Sequence, residues 1–126
     1  MARRNVSSGG PFEDVYGYCR AVRVGGQIHV AGTTPQPPHT VGCDAYEQAR
    51  AALAIIEQAL RDVGSSAEAV VRTVTYVTDL DDALLVARAH NEVFGDVRPA
   101  ATLVEVSGLL GDGVKVEIEA YAIEES

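Results

Sequence analysis

The sequence predicts an α+β fold: a two-layer sandwich built on a mixed sheet, with two helices on one face and the element order β-β-α-β-α-β-β. Two observations carry this expectation. Apolar residues recur at three- and four-residue steps in two separate segments, the period of a helix with one buried stripe. Elsewhere, runs rich in Val, Ile, Thr and Tyr stand between Gly- and Pro-containing breaks, as strands do.

At 126 residues the chain is long enough for one domain with a real core and too short for two ordinary ones, so residues 1–126 are expected to form a single domain. Residues 1–15, polar and Gly/Ser-containing, are expected to be an irregular arm. Tyr18 to Val24 and Gln27 to Ala31 suit strands, and the intervening Gly25-Gly26 marks a hairpin. Gly32 to Gly42 holds three of the five prolines and reads as a long exposed loop of the kind that borders sites.

From Asp44, a plausible N-cap, the residues Ala49, Leu53, Ile56, Leu60 and Val63 form one apolar stripe that Gly64 closes. Val70 to Thr78 reads as a strand covered on both sides. Asp79 to Asp82 offers caps for a second helix, about Asp82 to Phe94, and the last strands are expected at Thr102 to Val106 and Val114 to Ile123. In the final strand Val114, Val116, Ile118, Ala120 and Ala122 point one way, toward the helices. Lys115, Glu117, Glu119, Tyr121 and Ile123 point the other way, and this mixed face suits either an oligomer interface with pockets or plain solvent.

Composition removes several function classes. A formal charge of −8 repels phosphate backbones and argues against a nucleic-acid partner. No segment approaches the roughly 18 apolar residues of a membrane span, and the basic start lacks the apolar core of a secretory signal, so a soluble cytoplasmic protein is expected with no membrane partner. Cys19 and Cys43 have no metal-like spacing and are expected to be reduced thiols. His29, His39 and His90 are scattered, so no metal site is expected.

Three segments, Ile28 to Pro35 (IHVAGTTP), His90 to Thr102 (HNEVFGDVRPAAT) and Val104 to Ile123 (VEVSGLLGDGVKVEIEAYAI), resemble the Rid family. It is also called the YjgF or reactive intermediate/imine deaminase family, and the endoribonuclease L-PSP family. The likeness runs from about Tyr18 to Ile123. It implies a chorismate-mutase-like homotrimer, with sheets facing inward and small-molecule clefts between subunits. It further implies hydrolysis of enamine or imine intermediates such as 2-aminoacrylate, without metal or organic cofactor.

Under this resemblance Glu117 falls on the family glutamate that activates or positions the attacking water; read from alternation alone, it is a solvent-facing strand residue. Tyr18 matches an aromatic of the cleft wall, or else packs inside the trimer. Gly32 and Thr33 would bring backbone and hydroxyl groups to the ligand, and Thr102 and Leu103 main-chain groups. Leu103 stands where many relatives have Cys. Deaminating members carry Pro-Ala-Arg before the fifth strand, whose arginine grips the substrate carboxylate bidentately. This chain has Ala101 there. Arg88 and Arg20 are the two candidates to replace that cation, each with the alternative of an ordinary surface arginine. The alternatives to a deaminase are a non-catalytic ligand- or partner-binding trimer and an enzyme of a different reaction in a catabolic or natural-product pathway.

Overall fold

The computed structural model describes residues 2–125, which run β1 (Arg3–Val6), α1 (Glu13–Tyr16), β2 (Ala21–Val24), β3 (Gln27–Thr33), α2 (Ala45–Asp62), β4 (Val70–Val77), α3 (Ala83–Phe94), β5 (Ala100–Glu105) and β6 (Val116–Ile123). The six strands form one sheet in the order β1-β2-β3-β6-β4-β5. Every neighbouring pair is antiparallel except β4 and β5, whose parallel pairing needs a crossover, which α3 supplies. The sheet is therefore mixed and the fold is the expected α+β sandwich.

Local chemistry explains why α2 is the longest helix. The Asp44 carboxylate accepts the Glu47 backbone N–H at 2.8 Å while Glu47 Oε1 accepts the Asp44 N–H at 3.0 Å, a reciprocal capping box. At the other end Arg23 donates to the Val63 carbonyl at 2.8 Å, and Arg4 donates to the Asp62 carbonyl at 2.9 Å. These two cations satisfy terminal carbonyls and oppose the negative end of the helix dipole. The chain then turns at Gly64, which sits at φ +80°.

The core lies between this helix layer and one sheet face. Leu53, Ile56 and Leu60 of α2 and Phe94 of α3 are buried in one cluster with Ile28 and Val30 of β3 and Val116, Ile118, Ala120 and Ala122 of β6. Burying each large aliphatic side chain contributes about 1.5–3 kcal/mol. The alternation expected for the last strand is observed from Val116, where β6 begins, and not from Val114: Val116, Ile118, Ala120 and Ala122 are buried, and Glu117, Glu119 and Tyr121 lie on the face without helices.

Two expectations at the start of the chain need correction. Residues 1–15 are not wholly irregular: Arg3–Val6 pairs antiparallel with β2, and Glu13–Tyr16 makes a short helix. Polar composition hid the strand because β1 is an edge strand with mostly exposed residues, and its value lies in the Arg4 contact with α2. The following strand also begins at Ala21 and not at Tyr18, so Tyr18 and Arg20 belong to the segment leading into it.

Gln48 is a polar residue on the buried side of α2. Its amide nitrogen donates to the carbonyls of Thr40 and Gly113 at 2.9 and 2.8 Å, and its oxygen accepts the Lys115 N–H at 2.8 Å. A fully buried amide thus ties the Gly32–Gly42 loop to the lead-in of β6.

Candidate functional site

The open face of the sheet places Glu117 beside the β2–β3 hairpin. The register of β3 on β6 shifts between Val30 and Thr33, and this irregularity turns Gly32 toward the Glu117 side chain. A Cβ at Gly32 would stand 2.6 Å from Glu117 Oε2, so only glycine lets the carboxylate sit this close to the backbone.

Arg20 holds the same corner from the other side. Its guanidinium donates to the Gly32 carbonyl at 2.7 Å, Thr33 Oγ1 at 3.1 Å, the Tyr18 hydroxyl at 2.9 Å and Ser8 Oγ at 3.2 Å. Thr33 in turn donates to the Ala31 carbonyl at 2.7 Å. Arg20 is only 6% exposed, so this cation is a buried, fixed component and not a surface arginine. Its partner Ser8 also donates to Glu13 Oε2, which accepts the Ser8 and Gly10 N–H groups as well. The N-terminal segment is thereby locked onto the hairpin.

Glu117 itself is half-buried and has no side-chain hydrogen bond among the described residues. Burial pushes its carboxyl above the ordinary value, the negative Glu119 raises it further, and the Arg20 cation pulls it partly back. Glu119 differs sharply although it shares the strand and the face. It accepts the Tyr76 hydroxyl at 2.6 Å and the Tyr121 hydroxyl on its other oxygen. Those bonds hold Tyr76 protonated up to about 12 and also raise Tyr121. One glutamate is bound up in a network, and the other has no side-chain hydrogen-bond partner among the described residues.

The remaining sequence candidates divide by face. Thr102 lies on the open face near its β5 edge and accepts a hydrogen bond from Arg72 at 2.9 Å. Leu103 and Ala101 point the opposite way, toward α3, because they pair with the buried Thr75 and Thr73 of β4. Arg88 is placed on the outer surface of the helix layer: its guanidinium stacks 4.2 Å over the Tyr46 ring and approaches Glu92 at 3.8 Å. Within the chain it is not brought to Glu117, and its 65% exposed side chain serves an i,i+4 helix-surface pair. Of the eight candidates, Glu117, Tyr18, Arg20, Gly32 and Thr33 converge.

Behind β5 lies a cavity of about 520 Å³ between that strand and α3, with Thr75, His90, Phe94, Arg98, Ala101 and Leu103 among its walls. His90 Nε2 is 2.8 Å from Thr73 Oγ1, and burial lowers its pKa. Sequence reasoning missed Thr75 and His90. The available signal was Thr at alternate positions, 73 and 75, on the helix-facing side of a strand, where apolar residues are the norm. Among the described residues, no three His, Cys, Asp or Glu side chains converge as metal ligands.

Comparison with known proteins bears on this geometry. The family model described as "Endoribonuclease L-PSP" matches residues 12–124. The crystal structure of Rv2704 from Mycobacterium tuberculosis, a member of the YjgF/YER057c/UK114 family, superposes with a TM-score of 0.91 at 45% identity, covering 98% of this chain and 100% of that one. An uncharacterized protein of Streptomyces coelicolor, SCO2049, is 39% identical over 95% of this chain and 92% of its own. The 2-iminobutanoate/2-iminopropanoate deaminase of Escherichia coli is 33% identical over 84% of this chain and 86% of its own.

Proposed function

The chain belongs to the Rid/YjgF family, the one whose model is described as endoribonuclease L-PSP, and on that premise we propose that it is a small-molecule enzyme that hydrolyses reactive imines or enamines to a carbonyl product and ammonia. The observation that carries this reading is the state of Glu117: desolvated, without a hydrogen-bond partner among the described residues, and held against Gly32 by backbone geometry.

In the proposed reaction a water molecule adds its oxygen to the imine carbon while Glu117 accepts one of its protons. Glu117 passes that proton to the imine nitrogen as the carbinolamine forms. It then takes the proton of the carbinolamine hydroxyl and delivers it to the amine nitrogen as the C–N bond breaks, so that ammonia leaves and the carbonyl remains. A carboxylate whose pKa is raised is a better proton acceptor, when ionised, than an ordinary one. Arg20 fixes the hairpin and keeps that rise limited. No cofactor is assigned a part.

The working form we propose is a homotrimer, in which the open sheet faces pack inward and each cleft is completed by a neighbouring copy. The mixed character of that face supports it: Tyr76, Tyr121 and Glu119 form a satisfied polar cluster beside exposed Val24, Val104 and Ile123.

A second reading is favoured by one specific observation. Ala101 stands where the family resemblance implies a carboxylate-gripping arginine in deaminating members, so the cleft would serve a different substrate, or bind a ligand without turnover. Hydrolysis of freshly generated 2-aminoacrylate and a panel of bulkier imines, by wild type, Glu117→Ala and Ala101→Arg, separates these. The deaminase reading expects wild-type turnover that falls about 10²–10⁴-fold in Glu117→Ala. Activity in Ala101→Arg alone would assign the wild-type cleft another task.

A further inference from the structure

The cavity behind β5 is built unlike a site for an anion. Its most buried lining residues are Val86 and Phe94, 1% and 2% exposed, with Thr75 at 4%. Leu103 and Ala101 close the β5 side. The Thr75 hydroxyl has no hydrogen-bond partner among the described residues, and since no fully enclosed side-chain oxygen or nitrogen lacks a partner, the small surface it keeps opens into the cavity. An unpartnered hydroxyl on an apolar floor is a feature that a ligand satisfies.

The charges nearby are sparse. His90 engages Thr73 through Nε2 and stacks on Phe94 with ring centroids 4.8 Å apart; burial lowers its pKa, so the ring is neutral at neutral pH. Arg98, at φ 58°, is the one arginine in the lining, and it is exposed at the rim. A carboxylate on the floor would lose its water with no cation to replace it, which is costly; a carbonyl or imine would lose little and gain a hydrogen bond.

We propose that this cavity binds an uncharged carbonyl or imine compound with an apolar substituent, its polar atom on the Thr75 hydroxyl, and discriminates against carboxylates. The proposal rests on the family reading above, because Ala101 and Leu103 line the cavity, but it concerns binding and not turnover. It names a ligand class that differs from 2-imino acids.

The test is binding of a matched pair, pentanamide and pentanoate, to the intact protein, followed by chemical shifts of Val86, His90 and Leu103. Wild type is expected to bind pentanamide at least about tenfold more tightly, and Thr75→Val, which keeps the shape, to lose about tenfold of that affinity. Ala101→Arg alters an exposed position and is expected to reverse the preference toward pentanoate. Equal or tighter binding of pentanoate by wild type, abolished in Arg98→Ala, would overturn the proposal by placing an anion site at the rim. So would amide binding that ignores Thr75→Val, or the absence of shifts at these residues with either probe. Failure of imine hydrolysis alongside intact amide selectivity would remove the deaminase reading and leave this one standing.

Discussion

Glu117 and Glu119 are two carboxylates two residues apart on one strand, and their surroundings divide their roles. Glu119 is held by two tyrosine hydroxyls, whereas Glu117 has only Gly32 beneath it, Glu119 as a like charge and Arg20 as a counter-charge. Resolved by carboxyl NMR, Glu117 is expected to titrate above the ordinary value of 4.5. Removing the like charge in Glu119→Gln is expected to lower it, and removing the cation in Arg20→Met to raise it further; shifts in the reverse sense would contradict the electrostatics. Glu13 shows the opposite sign. Burial raises its carboxyl, but hydrogen bonds from Ser7, Gly10 and Ser8 outweigh this, so the folded value lies below the unfolded one. Its contribution to stability is present above the unfolded pKa and lost as pH falls through the folded one. Acid unfolding of Glu13→Gln is therefore expected to be less steep than that of wild type below about pH 4.5.

At the scale of elements, what the sequence revealed depended on whether one strong local signal was enough. The apolar stripe from Ala49 to Val63, with Asp44 before it and Gly64 after it, places α2 within a residue of its observed bounds. The β6 alternation was equally readable because both faces differ in chemistry. The strand β1 was not, since its residues are polar and its partner, β2, is distant in meaning from any local pattern. Gln48 gave no sign of its three-way amide contact, which only tertiary structure creates. Two stability measurements follow. Asp44→Ala removes a capping box and is expected to cost about 1 kcal/mol in denaturant unfolding. Gln48→Leu leaves the buried Thr40 carbonyl, the Gly113 carbonyl and the Lys115 N–H without their amide partner and is expected to cost roughly 2–3 kcal/mol, more than the cap despite its apolar replacement.

For the molecule as a whole, the sheet separates two sets of groups that a ligand site would want together. Glu117, Arg20 and Tyr18 occupy the open face, while Leu103, Ala101 and Thr75 line the cavity on the helix side. The sequence indicated Glu117 through the Val104–Ile123 segment and named Tyr18 and Arg20 as separate candidates, yet it could not reveal that Arg88 stacks on Tyr46 away from both sets, because helix phase and neighbouring helices decide that. In the trimer we propose, packing of copies would bring an edge of one subunit to the face of another. Sedimentation equilibrium is expected to give three times the 13.3 kDa chain mass. Glu117→Gln is expected to keep that mass, since the side chain makes no hydrogen bond within the described residues. The measurement closest to the central claim is single-turnover hydrolysis of a bulky uncharged imine by wild type, Glu117→Gln and Glu119→Gln, each confirmed in the same oligomeric state. The account predicts that Glu117→Gln loses about 10²–10⁴-fold while Glu119→Gln retains most of the rate with its acid limb moved to lower pH. Equal loss in both variants, or full activity in Glu117→Gln, would contradict it.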